Sequence, residues 1–147
     1  MTRRLRLVLE PDAGQSVRNY LDERLNAHNI AATGISAYCD LAILLKDDGD
    51  EILGGLLAEM WGDWLHIKVL WVAEEVRAVG HGRQMMAMAE RYAAERGYRN
   101  AYLSTFSFQA RPFYEKLGYK VFSVLEDFPP GHAKYYMRKR LENASSR

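Results

Sequence analysis

A chain of 147 residues, of which 48% are hydrophobic and 27% charged, is long enough for one domain with a hydrophobic core. Its formal net charge of +1 gives no overall field that would favour nucleic acid or an anionic membrane, and no stretch is apolar for long enough to cross a bilayer. The single cysteine, Cys39, excludes an intrachain disulfide and a cysteine-rich zinc site. We therefore expect Cys39 to be a small buried side chain in a cytoplasmic protein.

The N-terminal part of the chain predicts a strand followed by a helix. Leucine occupies every second position over residues 5–9, which is typical of a strand, and Pro11 ends the pattern. Asp12 and Gln15 resemble a capping box ahead of apolar residues at helical spacing. Residues 28–38 have the composition of a loop.

The next segments predict an antiparallel meander of three strands. The apolar run 41–45 ends at the turn sequence DDGD, and residues 51–61 form a second strand. The adjacent glycines at 54–55 would weaken that strand or introduce a bulge. A two-residue turn at 62–63 then leads into the third strand, WLHIKVLWV, at 64–72.

The C-terminal half alternates helices with strands. The periodicity predicts a helix at 84–96, a strand at 101–105, a helix at 109–116, and strands at 119–125 and 133–137. Met85, Met88 and Tyr92 are expected to be the buried stripe of the first helix. We therefore expect an α/β (α+β) protein with a mixed central sheet, an antiparallel N-terminal meander and the order β-α-β-β-β-α-β-α-β-β. Residues 1–141 would form one domain and residues 142–147 a tail.

The sequence VRAVGHGR, residues 76–83, joins the third strand of the meander to that helix. Gly80 and Gly82 would let an anion approach the unpaired amides of the helix N-terminus, and Arg77 and Arg83 could add charge-assisted contacts. The loop lacks both the Gly-Lys-Ser/Thr end of a P-loop and the third glycine of a dinucleotide fingerprint. Two glycines are also typical of a plain β–α turn, so the loop alone leaves both interpretations open.

Three segments in order resemble one protein family. The strand ending LWV at 70–72, the pattern Arg-x-x-Gly-x-Gly at 77–82 and the sequence FYEKLGY at 113–119 are similar to the signatures of the GNAT N-acyltransferase superfamily. More narrowly, LSTFSFQARPFYEKLGY and the Pro-Gly-His segment after it resemble a bacterial subgroup of GNAT acetyltransferases. The likeness spans nearly the whole chain and implies the GNAT fold.

The resemblance implies an acyltransferase that uses acetyl-CoA as the acyl donor and in which a substrate primary amine attacks the thioester directly. The pantetheine would pair with the backbone of the strand end, and the pyrophosphate would lie on the amides of the glycine loop. Ser107 stands where many relatives carry an asparagine that contacts the pantetheine. The implied cofactor-binding residues are Leu70, Trp71, Val72, Arg77, Val79, Gly80, His81, Gly82, Arg83 and Ser107.

The implied catalytic residues are Tyr114 and His66. Tyr114 matches the tyrosine that lies near the thioester sulfur in many relatives, where a phenol can protonate the departing thiolate. His66 is our preferred base, because it lies four residues before Leu70 and so on the same face if the strand is regular. Glu59 or Asp63 acting through water, or backbone carbonyls that polarise a water chain, are the alternatives.

The sequence does not name the acceptor. A small amine, an antibiotic, an amino acid or a peptide amine would each fit the family, and a homodimer is left open. By the same resemblance the acceptor pocket would draw on the helix near Tyr20, the loop 28–38 and residues 61–64. We expect no nucleic acid, membrane or metal partner. A non-catalytic acyl-CoA-binding or regulatory module is the main alternative to an enzyme, and a nucleic-acid-binding domain is a distant third.

Overall fold

The computed structural model describes residues 2–142 and divides into two units, between Ser36 and Ala37. No helix among the described residues is both long and apolar enough to span a membrane. The tail predicted at 142–147 lies outside the described residues apart from Glu142, and the predicted domain extent of 1–141 stays a prediction.

The first unit contains one long helix, α1 (Gly14–Thr33). Its N-cap is Ala13, and no side chain caps it, so the capping box predicted from Asp12 and Gln15 is wrong. At the other end Gly34 adopts the left-handed conformation, with φ of 73°, and its N–H donates to a carbonyl of the last turn. Gly34 therefore ends the helix in the conformation that is typical of a C-terminal glycine, whereas the predicted N-terminal cap is absent.

Two further expectations for this unit are wrong. Residues 5–9 form no strand, because residues 2–13 contain no regular strand or helix. Alternation decides which side chains share a face, but it does not supply the neighbouring backbone whose hydrogen bonds make a strand. The loop predicted at 28–38 is helical up to Thr33, since helix propagation tolerates the polar residues that had indicated a loop.

The second unit is built on a six-stranded sheet with the strand order β1-β2-β3-β4-β6-β5. Neighbouring strands are antiparallel except for β3 and β4, which run parallel. The strands are β1 (Cys39–Lys46), β2 (Ile52–Trp61), β3 (Trp64–Val72), β4 (Asn100–Phe106), β5 (Lys120–Glu126) and β6 (Ala133–Arg140). The predicted mixed sheet and its antiparallel meander are confirmed, and β3 has the predicted bounds.

The weak point predicted in β2 is also confirmed. The register between β1 and β2 shifts so that Leu53 is an extra residue, directly before Gly54. A Cβ on Gly54 would lie 2.9 Å from the carbonyl oxygen of Trp71 on the neighbouring strand. Any larger residue at position 54 would therefore push β2 and β3 apart.

The hairpin between β2 and β3 turns at Gly62 and Asp63, as predicted. Both residues have positive φ, of 59° and 79°, which matches the twist of the two strands. The Asp63 carboxylate accepts hydrogen bonds from the backbone N–H and Nε of Arg99, at 3.1 and 3.0 Å, and from Nδ2 of Asn100 at 3.2 Å. This carboxylate fixes the start of β4 beside the turn.

Two helices connect the second half of the sheet. Helix α2 (His81–Glu95) carries the chain from β3 to the parallel strand β4, and a short 3₁₀ turn (Glu74–Val76) precedes it. Helix α3 (Arg111–Lys116) connects β4 to β5. These elements and the two final strands are the predicted ones, with ends shifted by a few residues, so the α/β (α+β) class is confirmed.

The core of the second unit lies between α2 and one face of the sheet. The Cys39 side chain is half-buried at its border, with Sγ 3.9 Å from Oη of Tyr92. The fully buried members from the strands are Leu56, Met60, Leu65, Ala101, Leu103 and Met137, and those from α2 are Met86, Ala89 and Ala93, with Met85 nearly so.

The predicted core stripe of α2 is only partly right. Met85 is buried and Tyr92 packs half-buried against the core, but Met88 is 56% exposed. At about 100° per residue, Met88 lies roughly 115° from the centre of the stripe formed by Met85, Met86, Ala89 and Ala93. The prediction that Met88 is buried relied only on its being hydrophobic, and its position on the helix makes that prediction wrong.

Candidate functional site

The site begins where β3 and β4 separate. The two strands pair only over Trp64–His66 with Asn100–Tyr102, although each continues for several residues. Beyond that point lies a cavity of about 1040 Å³. Its walls are residues 67–72 of β3 and 103–106 of β4, and the glycine loop and the start of α3 close it. An extended ligand could enter this gap and pair with a strand edge.

A bulge bends β3 where it leaves its neighbour. Lys68 is an extra residue in the pairing with β2, because Leu57 opposes Val69 while Ala58 opposes Ile67. A bulge increases the local twist and re-aims the side chains after it. The separation of β3 from β4 starts at this same place, so the bulge and the cavity coincide.

The bulge overturns one premise of the sequence analysis. Leu65 and Ile67 face the core before it, and Leu70 packs against the core after it. The side-chain alternation has therefore shifted by one residue, and His66 and Leu70 point to opposite faces of the sheet. The spacing of four residues predicted a shared face only for a regular strand, and β3 is not regular.

The glycine loop presents a helix N-terminus to the cavity. Gly80 is the N-cap of α2 with φ of 94°, and the first intrahelical bond runs from the N–H of Gln84 to its carbonyl. Helix geometry thus leaves the amides of His81, Gly82 and Arg83 without an intrahelical acceptor. These amides carry the positive end of the helix dipole, which suits an anion.

The residues of the glycine loop differ in whether they reach the cavity wall. Nε of Arg77 donates to the carbonyl oxygen of Val72 at 2.7 Å, which ties the loop to the end of β3. A Cβ on Gly82 would lie 3.4 Å from Phe113, an ordinary contact. Val79 is 68% exposed and is not on the cavity wall. The expected cofactor residues on the wall are Leu70, Trp71, Val72, Arg77, Gly80, His81, Gly82 and Arg83.

Tyr114 lies on the cavity wall, in the middle of α3. Its ring packs edge-to-face on Phe113 and Tyr119, with centroids 5.1 and 6.2 Å apart, and its side chain is buried. Burial raises the pKa of the Tyr114 phenol above its ordinary value. The hydroxyl therefore carries its proton at neutral pH and can act as an acid.

His66 lies at the apex of the gap, as the last β3 residue paired with β4. Its Nδ1 is 3.2 Å from Oε1 of Glu59, and its ring stacks on Tyr102 with centroids 4.3 Å apart. A carboxylate in this position favours a proton on Nδ1, which leaves Nε2 of the neutral ring as the acceptor. His66 itself is not on the cavity wall, but the next two residues of β3 are.

Glu59 is held as a carboxylate. Desolvation alone would raise its pKa, but hydrogen bonds with Tyr38 and His66 and the charge of Lys68 outweigh this, and the net pKa is lowered. Oη of Tyr38 lies 2.7 Å from Oε2 of Glu59 and 2.9 Å from Oδ1 of Asp40, so one proton is shared between two carboxylates. The Glu59 hydrogen bond is the main cause of the raised pKa of Tyr38.

Two expected site residues have other contacts. Asp63, an alternative base in the sequence analysis, is engaged with Arg99 and Asn100 at the hairpin. The hydroxyl of Ser107 accepts a hydrogen bond from the N–H of Ala133 at 3.0 Å and is not on the cavity wall. Ser107 thus joins the β4–α3 loop to the start of β6.

Sequence reasoning missed Gln109, which is on the cavity wall two residues further along the same loop. Its Oε1 accepts hydrogen bonds from the N–H of Phe106 at 2.8 Å and from the buried hydroxyl of Thr105 at 3.2 Å. Because Oε1 accepts these two hydrogen bonds, Nε2 is the polar group of the Gln109 side chain that remains to donate to a ligand. The only signal in the sequence was a second polar side chain close to the position of the expected asparagine.

Comparisons with known proteins agree on one family. A model of the acetyltransferase (GNAT) family matches residues 10–119. An acetyltransferase of Agrobacterium fabrum (strain C58) is 30% identical over 137 residues, which cover 93% of this chain and all of the relative. A blasticidin-S acetyltransferase of Streptomyces morookaense is 36% identical over 92 residues, 62% of this chain and 68% of the relative.

Solved structures give the same result. An acetyltransferase from Bacillus cereus, whose crystal structure is solved, is 33% identical in sequence and matches with a TM-score of 0.78. The match covers 90% of this chain and 98% of the Bacillus cereus chain. A crystal structure assigned as an acetyltransferase from Agrobacterium tumefaciens is 30% identical with a TM-score of 0.88, and covers 93% of this chain and 100% of its own.

Proposed function

The chain belongs to the acetyltransferase (GNAT) family and is an acyltransferase, and we propose that it transfers an acetyl group from acetyl-CoA to a primary amine by direct attack of that amine on the thioester. The observation that carries the proposal is the gap between β3 and β4. One end of it meets the α2 N-terminus, and Tyr114 lies on its wall. An extended chain that bears a phosphate group at one end fits such a gap.

The residues around the gap fit acetyl-CoA. Residues 70–72 would pair with the pantetheine, while the amides of His81, Gly82 and Arg83 would hold the pyrophosphate. Arg77 is already fixed to Val72 and would place its guanidinium beside the same phosphates. The thioester supplies an activated acetyl group, and the protein supplies its alignment with the amine.

Gln109 takes the place that the sequence analysis had given to Ser107. Its carbonyl oxygen is fixed by two donors, and its amide Nε2 can therefore donate into the cavity. A pantetheine carbonyl is the acceptor that this donor suits, since both groups are neutral amides. Replacing Gln109 with Leu should raise the KM for acetyl-CoA, whereas replacing Ser107 with Ala should not.

His66 accepts the proton that the attacking amine releases, at Nε2 and directly or through one water. Glu59 holds the opposite ring nitrogen and stabilises the imidazolium that forms. The new C–N bond forms as the C–S bond breaks, and backbone amides of residues 70–72 stabilise the charge on the carbonyl oxygen. Tyr114 gives its proton to the departing thiolate and regains one from solvent.

The acceptor is a primary amine of a small molecule or peptide. One relative, 36% identical over 62% of this chain, is a blasticidin-S acetyltransferase, which makes blasticidin S the first amine to test. Amino acids, polyamines and a lysine-containing peptide complete the panel, because the fold alone does not choose among them.

The test measures thiol release from acetyl-CoA with each amine, for the wild type and for Tyr114→Phe. Lys46→Met serves as the control, because it removes an exposed charge on β1, which is two strands away from β3 in the sheet. We expect turnover with at least one amine and a large loss in the Tyr114 variant only. Tight binding of acetyl-CoA without turnover on any amine would instead support a non-catalytic module, and a lack of binding would contradict the site itself.

A further inference from the structure

A cluster of aromatic side chains surrounds Lys134 at the start of β6. We use "aromatic cluster" for Phe106, Phe108, Phe128, Tyr136 and Lys134. The rings of Phe106 and Phe108 stack with centroids 5.2 Å apart, and that of Phe128 lies 5.4 Å from Phe106. Nζ of Lys134 lies 5.4, 5.2 and 5.3 Å from the ring centroids of Phe106, Phe128 and Tyr136.

The aromatic cluster borders the cavity between β3 and β4. Phe106 and Phe108 line the cavity, on whose wall Tyr114 also lies. The cluster is not part of the core between the sheet and α2: Phe108 is 56% exposed and Phe128 is 44% exposed. Rings gathered only to stabilise the β5–β6 hairpin would be buried by one another, whereas exposed rings beside a cavity are typical of a binding surface.

Lys134 has no carboxylate within 4.0 Å among residues 2–142. Its ammonium is attracted to the negative faces of three rings, which fixes the long side chain in one place. Ring faces do not neutralise the charge, so the ammonium can still pair with an anion. An ammonium group fixed beside aromatic rings suits a ligand in which an anionic group lies next to a planar ring.

We propose that the aromatic cluster is the acceptor subsite, and that it selects an amine that also carries a planar ring and an anionic group. The inference rests on the proposed acetyl transfer. The ring of the acceptor lies against Phe106 and Phe108, its anionic group pairs with Nζ of Lys134, and its amine extends along the cavity wall toward Tyr114. Lys134 and the two phenylalanines are therefore specificity residues rather than catalytic ones.

Three matched amines test this proposal. 4-(Aminomethyl)benzoate carries an amine, a planar ring and a carboxylate; benzylamine lacks the carboxylate; and trans-4-(aminomethyl)cyclohexanecarboxylate lacks the planar ring. We expect kcat/KM of the wild type for the first to exceed that for benzylamine by about fivefold, the effect of one exposed ion pair. Its advantage over the saturated analogue should be about threefold, the effect of one aromatic contact.

Two variants separate the contributions. In Lys134→Met, 4-(aminomethyl)benzoate should lose its kcat/KM advantage over benzylamine and keep its advantage over the saturated analogue. In Phe108→Leu it should lose its advantage over the saturated analogue and keep its advantage over benzylamine. Lys46→Met removes a lysine on β1, four strands from β6 in the sheet order, and should change neither ratio. Equal rates for 4-(aminomethyl)benzoate and benzylamine in the wild type, or an unchanged ratio in Lys134→Met, would overturn the proposal.

A binding measurement keeps the subsite separate from the reaction. 4-Methylbenzoate has no amine, and its binding to the wild type and to Lys134→Met can be followed by saturation-transfer NMR. Binding that depends on Lys134, in a protein that acetylates no amine, would contradict the proposed function and support the subsite. Acetylation of other amines without binding that depends on Lys134 would support the function and contradict the subsite.

Discussion

Nδ1 of His66 lies 3.2 Å from Oε1 of Glu59, on adjacent antiparallel strands whose register places the two residues directly opposite each other. The Lys68 bulge comes two residues after His66, so this pair shares the face that carries Tyr102 rather than the face of Leu70. The pairing turns two separate candidates for the base into one unit, in which the carboxylate orients the imidazole.

Replacing Glu59 with Gln should lower kcat about tenfold, because the neutral amide no longer stabilises the imidazolium. Steady-state rates at a fixed pH measure this effect. Glu51→Gln, a change at an exposed residue before β2, is the control. A kcat that is unchanged in Glu59→Gln would contradict this role of the carboxylate.

Replacing Tyr114 with Phe should lower kcat about a hundredfold, because the thiolate then leaves without a proton donor. The dissociation constant of acetyl-CoA should change by less than about twofold, because the ring and its packing are kept. Stopped-flow thiol release and calorimetric titration measure these quantities. Turnover that is unchanged at saturating acetyl-CoA would contradict the assigned acid.

Tyr119→Phe is the matched change in a buried tyrosine that packs on Tyr114 but is not on the cavity wall. Its hydroxyl donates to Oε2 of Glu90 at 2.9 Å, and Lys139 donates to the other oxygen at 2.7 Å. Loss of the hydroxyl should lower the free energy of unfolding by about 1–2 kcal/mol, while kcat changes little. Urea denaturation and thiol release test this pair of outcomes, and a fall in kcat as large as that of Tyr114→Phe would argue against a purely structural role.

The two loop glycines should respond differently to alanine. Gly80 has φ of 94°, so Gly80→Ala should cost about 1–2 kcal/mol of unfolding free energy. Gly82 is helical and a Cβ there makes only ordinary contacts, so Gly82→Ala should keep its stability but raise the KM for acetyl-CoA by narrowing the cavity. Thermal melting and steady-state kinetics distinguish them. Equal KM values for Gly82→Ala and the wild type would place the pyrophosphate elsewhere.

Asp63 should make stability depend on pH. Hydrogen bonds from Arg99 lower the pKa of its carboxyl below the ordinary value of 3.8. A depressed folded-state pKa stabilises the protein above the ordinary value, and the contribution is lost as pH falls through the lower one. Asp63→Asn should therefore be less stable than the wild type at pH 7, and the gap should close below about pH 3.8. Urea denaturation from pH 7 to 2 measures this, and a constant gap would contradict it.

Local signals in the sequence predicted most of the second unit. The run WLHIKVLWV after the Gly-Asp turn predicted the bounds of β3, and the Gly-Asp pair predicted its hairpin, because turn chemistry and strand composition agree there. Residues 5–9 carried a similar pattern without forming a strand. Met88 was hydrophobic without being buried. In both cases the outcome depended on contacts with residues elsewhere in the chain, and a local sequence pattern carries no information about those contacts.

The sequence by itself determined the family, the order of the elements from α1 onward, and the segment that meets the cavity, since these depend on short motifs and on local conformational preferences. The tertiary structure alone decided which faces the side chains take and which ones meet. The Gly62–Asp63 hairpin sets the register that pairs His66 with Glu59. One extra residue at Lys68 then reverses the alternation of β3 where the gap beside β4 begins. The fold of the β4–α3 loop, for its part, places Gln109 rather than Ser107 on the cavity wall. A bulge depends on how two strands fit together, so it is a property of the pair that neither strand carries alone.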